Sequence, residues 1–400
     1  MSTKEGLKIE NLGNMKITLI AGARPNFMKV APIIKAIKKH NGEVINGDAS
    51  LKGGNGENGG ISYRLVHTGQ HYDKNMSDTF FEELGIPAPD VNLGCGGGSQ
   101  TEQTAAIMVA FEKELMANPT DIVLVVGDVT STMACSIVAK KLNTKVCHVE
   151  AGIRSWDLTM PEEINRMVTD SLADYMFTTS EVANANLVRM GCEMNKNVWF
   201  VGNVMIDTLL ANRSRFRKPE VWDELGLKDK EFVVMTMHRP ANVDEENHLR
   251  AMMEQIIDNV HGMPVIFPIH PRTAKILKEL MNEGMNELTI EERFPNLHIV
   301  EPMGYLEFNY LVERAKAVVT DSGGITEETT VMGVPCITLR DNTERPETCT
   351  VGTNELIGTN PAAIKPALDK LFAGEWKKGA IPELWDGHTA ERIIDILVDL

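Results

Sequence analysis

The 400-residue chain lacks the sequence features that mark several large classes of protein. Its six cysteines are scattered, with no Cys-x-x-Cys pair and no Cys/His cluster, which is typical of reduced, mostly buried thiols in a cytoplasmic protein. No apolar run approaches the length that spans a bilayer, and the polar start, MSTKEGLKIENLGN, does not resemble a signal peptide. We therefore expect residues 1–14 to form a tail on a cytoplasmic protein.

Positive charge is also scarce. The chain has 40 Lys and Arg residues against 56 Asp and Glu, a formal net charge of −16. That balance argues against nucleic acid or an anionic membrane surface as a partner, so a phosphorylated ligand must meet local basic groups. Apolar residues at 43% and charged residues at 24% are ordinary for a soluble globular protein, and the length favours two domains.

Short apolar runs alternate with helical patterns along the chain, and we find no internal repeat. Candidate strands cover residues 16–22, 63–69, 122–128, 145–152, 175–180 and 198–203, then 232–238, 264–270, 297–302, 317–322 and 336–341. Strands that alternate with helices predict parallel sheets. The two series predict an α/β protein of two doubly wound, Rossmann-like domains, joined near residues 204–212. A Gly- and Asn-rich insert, residues 42–60, is predicted to be a mobile loop or a short hairpin.

The most informative stretch is VVTDSGGITEETTVMGVP, residues 318–335. A β-rich run ends in Asp-Ser-Gly-Gly, and a helical pattern that carries Glu327 and Glu328 follows at once. The unpaired N–H groups and the positive end of the helix dipole then face one point, which suits a phosphate. Glu328, one turn inside the helix, could accept hydrogen bonds from two ribose hydroxyls. The alternative is an ordinary strand-to-helix turn.

Other strand ends carry polar residues in places that suggest chemistry, because ligands of open α/β sheets bind beyond the carboxyl ends of the strands. GARPNFMK sets Arg24 and Lys29 near a helix start, where structure alone favours acids, so a phosphate-facing role is favoured. Asp128 follows a strongly apolar strand, although a helix N-cap would also explain it. Glu150 lies at the end of a strand, where burying a carboxylate that has no functional role costs free energy.

Two further segments add candidates. PEEINR opens a helix with a proline at its first position, so Glu162 and Glu163 suit the helix dipole for structural reasons alone. At most one of these acids should face a cleft, and Arg166 lies a turn later. In TMHRPANVD, His238 follows the first strand of the second series, where a leaving phosphate would be gripped. His270 is a weaker candidate.

Taken together, the segments resemble the non-hydrolysing UDP-N-acetylglucosamine 2-epimerases, which have the glycosyltransferase-B type of fold. The likeness runs from about Met15 to the C-terminus and includes, in family order, GARPNFMK, GQHYD, GDVTST, HVEAGIRS, PEEINR, HRPANV, DSGGITEE and DNTERPE. Each motif is weak alone, but eight in order are highly specific. The resemblance implies an isomerase that interconverts UDP-GlcNAc and UDP-ManNAc for surface polysaccharide synthesis, usually as a homodimer and without metal or redox cofactor.

The same resemblance assigns roles to residues of a cleft between the domains. It implies catalytic acids at Asp128, Glu150 and Glu162, and a catalytic histidine at His238. The residues expected to bind the UDP-sugar are Arg24, Lys29, Arg166, His270, Phe308, Ser322, Gly323, Gly324, Glu328 and Arg345. The expected division of the chain is a tail (1–14), an N-terminal domain (15–205) onto which a C-terminal helix (389–400) packs back, and a C-terminal UDP-binding domain (206–388).

The chemistry accounts for these residue types. The C2 proton of the sugar is not acidic, because no carbonyl is adjacent to it. Expelling UDP from C1 while a base takes the C2 proton gives 2-acetamidoglucal, and UDP adds back after protonation on the other face. This route needs acid/base groups on both sides of C2 and cations on the departing diphosphate. Which carboxylate serves which face stays open.

Some positions depart from the family pattern. Ala241 stands where the family often has Glu, and Asp73 stands where many bacterial members have a second glutamine. These positions belong to an allosteric site for UDP-GlcNAc in some members, which argues against activation by substrate here. GQHYDKNMSDTFFEELGI also resembles relatives that act on UDP-2,3-diacetamido-glucuronate, the alternative substrate. A hydrolysing epimerase and a retaining glycosyltransferase of the same fold are the remaining alternatives.

Overall fold

The computed structural model describes residues 14–42, 60–70, 84–269 and 293–400. The predicted insert at 42–60 therefore lies, apart from its two end residues, outside the described residues. The strands are Met15–Ala21 (β1), Ile61–His67 (β2), Val91–Asn92 (β3), Ile122–Val126 (β4), Lys145–Val149 (β5), Tyr175–Thr178 (β6), Val198–Phe200 (β7), Val233–Thr236 (β8), Val265–Pro268 (β9), Leu297–Val300 (β10), Ala317–Thr320 (β11), Cys336–Thr338 (β12) and Asn354–Leu356 (β13).

The α-helices within the described ranges fall between these strands. They are Arg24–His40 (α1), Gln100–Ala117 (α2), Thr130–Lys141 (α3), Pro161–Leu172 (α4), Glu181–Arg189 (α5), Val204–Asn212 (α6), Glu220–Glu224 (α7), Pro240–Val243 (α8), Glu246–Asn259 (α9), Tyr305–Arg314 (α10), Gly323–Met332 (α11), Pro346–Thr350 (α12), Ile364–Phe372 (α13) and Thr389–Asp399 (α14). Across the described part of the chain, no helix is both long and apolar enough to cross a membrane.

The strands form two separate sheets. The first has the order β3-β2-β1-β4-β5-β6-β7 and the second the order β10-β9-β8-β11-β12-β13. The strand pairs within both sheets are parallel. The direction of winding reverses between β1 and β4 and again between β8 and β11, and such reversals open a crevice at the carboxyl ends of the strands. The predicted α/β class with two doubly wound domains is confirmed.

Burial on both faces explains why the strands read as continuous apolar runs. All five residues of β4, Ile-Val-Leu-Val-Val, are buried. Leu124 packs with Phe27 of α1 on one face of the sheet. Val123 and Val125 pack with Phe111 of α2 on the other. Because helices cover both faces of the sheet, polar and apolar residues do not alternate along its strands. The length of an apolar run is then the feature of the sequence that predicts a strand.

All eleven predicted strands are confirmed, while β3 and β13 were missed. The missed strands have two and three residues and lie at the outer edges of the two sheets. An edge strand pairs on one side only and needs few apolar residues, so it leaves little pattern in a sequence.

The end of the chain returns to the first sheet. Ile393, Ile394 and Leu397 of α14 belong to the core between α1 and the first sheet. The Asp207 carboxylate of α6 accepts hydrogen bonds from the backbone N–H groups of Thr389 and Ala390, at 3.1 and 2.7 Å, and so satisfies the free donors at the start of α14.

Helix α6 joins the two halves of the structure. It follows the last strand of the first sheet and packs against both α1 and α11. Ile206 and Leu209 of α6 form a buried apolar cluster with Val331 of α11 and with Trp385. The C-terminal part of α11 is therefore anchored on the helix that connects the two sheets.

Gly202 sits where the chain leaves β7 to enter this junction. Its φ is +102°, and a Cβ atom there would lie 2.1 Å from the carbonyl oxygen of Leu384. We expect Gly202→Ala to lower the free energy of unfolding by about 3 kcal/mol, since backbone strain and a steric clash add. Urea denaturation measures it.

Gly191 provides the matched control for that substitution. Its φ is +88°, but no atom lies within 4 Å of an added Cβ. Gly191→Ala should therefore cost only the backbone strain, about 1 kcal/mol. Equal losses of stability in the two variants would contradict the close packing at Gly202.

Candidate active site

The polar strand ends of the two sheets face each other. Asp128 and Glu150 follow β4 and β5 of the first sheet, while His238 and Asp321 follow β8 and β11 of the second. Glu150 has a φ of +71°, in the left-handed region that costs a non-glycine residue about 1 to 3 kcal/mol. This strain turns the chain at the strand exit and sets the Glu150 side chain into the space between the sheets.

Glu150 is a buried carboxylate held by cations from both sheets. Its side chain is 2% exposed, and its Oε2 lies 2.6 Å from Nζ of Lys29 and 3.1 Å from Nη2 of Arg345. Its Oε1 is buried and has no hydrogen-bond partner among the described residues. Burial alone would raise the pKa of Glu150, but the charges of Lys29 and Arg345 outweigh it and hold that pKa below the ordinary value. Glu150 is thus ionised, with one oxygen left over.

Gly127 allows this approach. Its φ is +70°, and a Cβ atom would lie 3.2 Å from Nζ of Lys29 and 3.5 Å from Oε2 of Glu150. A larger residue at the exit of β4 would push against the ion pair. The glycine before Asp128 is therefore explained by the neighbouring carboxylate and lysine.

Asp128 is oriented by a second buried cation. Arg166 forms ion pairs with Asp128 and with Glu163, and its side chain is 2% exposed. Asn165 adds a hydrogen bond from Nδ2 to the backbone oxygen of Asp128, at 2.8 Å. Arg166 was expected to bind the UDP-sugar. The structure engages its guanidinium with two protein carboxylates, from where it fixes the direction of the Asp128 side chain.

The two acids of PEEINR have different surroundings. Glu163 is buried and accepts hydrogen bonds from the backbone N–H groups of Ser155 and Trp156, at 3.0 and 3.1 Å. Glu162 is exposed, and its charge acts on Arg239 of the second sheet. Burial lowers the pKa of Arg239, and the charge of Glu162 is among those that oppose this shift. Glu162 is therefore the acid that faces the cleft.

His238 is oriented by Asp321. The Nδ1 atom of His238 lies 2.8 Å from Oδ1 of Asp321, which is fully buried. Asp321 also accepts hydrogen bonds from the backbone N–H groups of His238 and Arg239, at 3.0 and 2.9 Å. Burial would raise the pKa of Asp321, but its contacts with His238 keep it below the ordinary value. The sequence analysis placed Asp321 in the turn predicted to bind phosphate and did not predict that it orients His238.

The start of α11 has the features of an anion site. No side chain caps its first turn at Ser322, and no acidic residue lies in that turn. The first N–H groups of the helix are therefore open to a ligand at the positive end of the dipole. Gly323 and Gly324, the first two residues of α11, have no side chains that could cover these N–H groups. Phe308 of α10 is half-buried and packs against a buried apolar cluster of the second sheet.

The adjacent acids of α11 point to different partners. Glu328 is 5% exposed and accepts a 2.7 Å hydrogen bond from the Tyr305 hydroxyl. Burial raises its pKa to about 7. Glu327 is 2% exposed, pairs with Nε of Arg345 at 2.5 Å and accepts from Nδ2 of Asn203 at 2.8 Å. Burial raises the pKa of Glu327 as well.

The comparisons with known proteins agree with this arrangement. The sequence profile of the UDP-N-acetylglucosamine 2-epimerase family matches residues 55–398. The chain belongs to this family. The UDP-N-acetylglucosamine 2-epimerase of Methanocaldococcus jannaschii is 40% identical over 390 residues, which cover 96% of this chain and 99% of that protein. The UDP-2,3-diacetamido-2,3-dideoxy-D-glucuronate 2-epimerase of Pseudomonas aeruginosa is 37% identical over 347 residues, or 86% and 88% of the two chains.

Solved structures of the family share the whole fold. The crystal structure of the M. jannaschii UDP-GlcNAc 2-epimerase in complex with UDP-GlcNAc and UDP has a TM-score of 0.80 and 38% identity, and the match covers 96% of this chain and 100% of that chain. The enzyme of Neisseria meningitidis bound to UDP-GlcNAc has the same TM-score at 26% identity, covering 96% and 100%. The match to family structures confirms the predicted glycosyltransferase-B type of fold.

Several positions taken from the family pattern are engaged within the protein. Arg345 is 7% exposed at its side chain, and besides Glu150 and Glu327 it lies 3.5 Å from the Thr179 hydroxyl. His270 and Asp73 lie outside the described residues. Within the described ranges, no group of three or more His, Cys, Asp or Glu side chains is arranged to hold a metal ion.

Glu328 should make the stability of the ligand-free protein depend on pH. Its pKa is raised from 4.5 to about 7, so as pH rises through this window the unfolded chain loses a proton that the folded state retains. Stability should therefore fall between these values, by about 3 kcal/mol for this group. We expect Glu328→Gln to melt at a higher temperature than the unsubstituted protein at pH 8, with the difference shrinking toward pH 5.

Scanning calorimetry at both pH values measures this effect. Glu301→Gln, at an exposed position, is the control and should leave the melting temperature unchanged at either pH. A stabilisation by Glu328→Gln that is the same at pH 5 and pH 8 would show that packing, and not the buried charge, is responsible.

Proposed function

We propose that this protein catalyses the reversible C2 epimerisation of UDP-N-acetylglucosamine to UDP-N-acetylmannosamine, through elimination and re-addition of UDP. One observation carries the proposal: ionisable groups from both sheets converge on one cleft, with Asp128, Glu150 and Glu162 on one side and His238 on the other. The relatives named for this activity support it. We further propose that the product is used for surface polysaccharide.

The elimination step needs a base at C2 and a stabilised leaving group. A carboxylate takes the C2 proton, the electrons of that C–H bond form the C1=C2 double bond, and the C1–O bond breaks with its electrons on UDP. Glu150 suits the role of a base because it is ionised, buried and has one oxygen without a hydrogen-bond partner among the described residues. His238 and Arg239 lie where they can hold the departing diphosphate.

The return step delivers a proton to C2 from the opposite side. The UDP oxygen then attacks C1 and the double bond is consumed, so the reaction is balanced without a redox cofactor. Asp128 lies at the exit of β4 and Glu162 in the first turn of α4, which follows β5, and they are the candidates for the second face. Arg166 keeps Asp128 pointing in one direction during both steps.

The second domain supplies a fitting nucleotide site. The uncapped start of α11 suits the diphosphate, and Glu328, buried beside Tyr305, suits the ribose hydroxyls. We propose that Phe308 packs near the base. Lys29, a cation beside Glu150, adds positive charge on the first-domain side of the cleft. We also propose a cytoplasmic location, which the six free thiols support.

A second candidate substrate is UDP-2,3-diacetamido-2,3-dideoxyglucuronate. The 37% identity to the P. aeruginosa enzyme supports it, although that match covers less of the chain than the M. jannaschii match. The two substrates differ at C3 and C6 of the sugar and share the reaction at C2. Proton NMR of the protein with each substrate in turn decides which one is converted.

Substitutions in the cleft test the mechanism. We expect Asp128→Asn, Glu150→Gln and His238→Ala each to lower turnover by at least about a hundredfold, the usual scale for losing a positioned acid, base or charge-stabilising group. The two carboxylate variants should retain affinity for UDP, since they act on the sugar. Asp229→Asn, whose side chain is 69% exposed, is the control and should behave as the unsubstituted protein.

The readout for these variants is proton NMR with UDP-GlcNAc in heavy water. An epimerase incorporates deuterium at C2 with no acceptor present, whereas a hydrolysing epimerase releases free ManNAc with UDP, and a glycosyltransferase needs an acceptor. Near-normal deuterium incorporation by Asp128→Asn or Glu150→Gln would remove that residue from the mechanism. No exchange by the unsubstituted protein with either substrate would refute the proposed reaction.

We also propose a homodimer formed through the outer face of α2 and α4. Val109 and Met116 of α2 are 56% and 67% exposed, and Ile164 of α4 is 47% exposed. An open groove of about 330 Å³ runs between the two helices. Exposed apolar side chains beside an open groove are found at interfaces between subunits.

Charge placed on that face should separate the subunits. We expect Met116→Lys combined with Ile164→Lys to give a monomer, because a buried lysine without a partner opposes association. Light scattering after size-exclusion chromatography measures the mass. Val188→Lys, on an exposed apolar position of α5, is the control and should stay dimeric. A monomeric unsubstituted protein, or a dimeric double variant, would contradict this interface.

A further inference from the structure

Four buried ionisable side chains form a chain of contacts across the boundary between the two sheets. Lys29 and Glu150 belong to the first sheet and its helices, while Arg345 and Glu327 belong to the second. Their side chains are 13%, 2%, 7% and 3% exposed. Successive members are 2.6, 3.1 and 2.5 Å apart. At the far end, Glu327 accepts a hydrogen bond from Asn203, the residue that precedes α6.

The guanidinium of Arg345 is the rigid part of this chain. Its Nε contacts Glu327, and its Nη2 contacts Oε2 of Glu150, the oxygen that Lys29 also binds. Since a guanidinium is planar, a partner on Nε fixes the plane in which the other nitrogens lie. Both cations then meet the same oxygen of Glu150, and Oε1 keeps no hydrogen-bond partner among the described residues.

We propose that Glu327 is a positioning residue for the epimerisation: through Arg345 it holds the Glu150 carboxylate from across the domain boundary, with one oxygen turned to the sugar. This inference rests on the proposed function. Without the carboxylate of Glu327, Arg345 keeps Glu150 as its nearest carboxylate. A guanidinium in that position binds both carboxylate oxygens in a fork, which would occupy Oε1 and weaken Glu150 as a base.

Glu327 lies next to Glu328 on α11, so the chain of contacts to Glu150 begins beside the proposed nucleotide site. Glu328, the next residue, lies beside Tyr305 on the side proposed for the ribose, whereas Glu327 lies toward α6 and Asn203. One helix turn therefore carries both the nucleotide contact and the start of the chain to Glu150. Binding of the nucleotide on one side of α11 fixes the other side, and with it the carboxylate in the first domain.

The adjacent acids provide a matched pair of variants. We expect Glu327→Gln to lower kcat by about ten- to a hundredfold, the cost of a misplaced reacting group, with the Kd for UDP within about threefold of the unsubstituted protein. Glu328→Gln should instead weaken the binding of UDP by about tenfold or more, because a charge-assisted hydrogen bond to the nucleotide is lost. Calorimetric titration of UDP and deuterium incorporation at C2 are the two measurements.

A residue that merely clamps the domains together would give a different result. Its loss would alter UDP affinity and turnover together, or alter neither at temperatures well below melting. Unchanged kcat in Glu327→Gln, or a loss of kcat accompanied by a similar loss of UDP affinity in that variant, overturns the proposal. If the unsubstituted protein fails to exchange the C2 hydrogen, the proposed function fails first and this inference fails with it.

A second variant keeps the test decisive if Glu327→Gln does not fold. Arg345→Lys retains the cation but has no fork that spans Glu327 and Glu150. It should show the same loss of kcat with UDP affinity maintained. A loss of UDP affinity in Arg345→Lys would show that Arg345 contacts the nucleotide directly, and would overturn its role as the connection between the two acids.

Discussion

The buried contact of Glu150 with Lys29 and Arg345 is the interaction on which the cleft depends. An isolated carboxylate in this position would be neutralised by burial, and the two cations keep it charged. Since Lys29 comes from the first domain and Arg345 from the second, both domains contribute positive charge that favours the ionised form of Glu150. The left-handed backbone at Glu150 and the glycine at position 127 both serve that contact.

Two exposed groups of the cleft are each held by a buried one. Arg166 orients Asp128, and Asp321 orients His238. In each pair the orienting residue, Arg166 or Asp321, is more deeply buried than the residue that it orients. Such partners hold the outward group in a fixed direction before a ligand arrives, which is how electrostatic stabilisation of a reacting centre becomes effective. Much of the buried polar surface at this cleft is therefore explained by orientation.

The sequence predicted the fold well because parallel sheets leave a simple signal. Fully buried strands such as β4 read as apolar runs, and their polar exits mark where ligands bind. The residues of PEEINR alone did not say whether Glu162 or Glu163 faces the cleft, and only the family resemblance assigned Glu162; in α11, Glu328 was assigned to the ribose and Glu327 was given no partner. Arg166 and Arg345 were expected to bind the UDP-sugar, and the sequence could not show the buried carboxylates that also contact them.

The sequence alone thus determined the α/β class, eleven of the strands, the family and the set of polar strand ends. Those properties depend on local patterns and on motif order, which are present in the chain before it folds. Only the tertiary structure decided that Asp321 serves His238, and that Glu327 reaches Glu150 through Arg345. These pairs join residues far apart in the chain, and burial and charge at such contacts exist only once the two sheets have met.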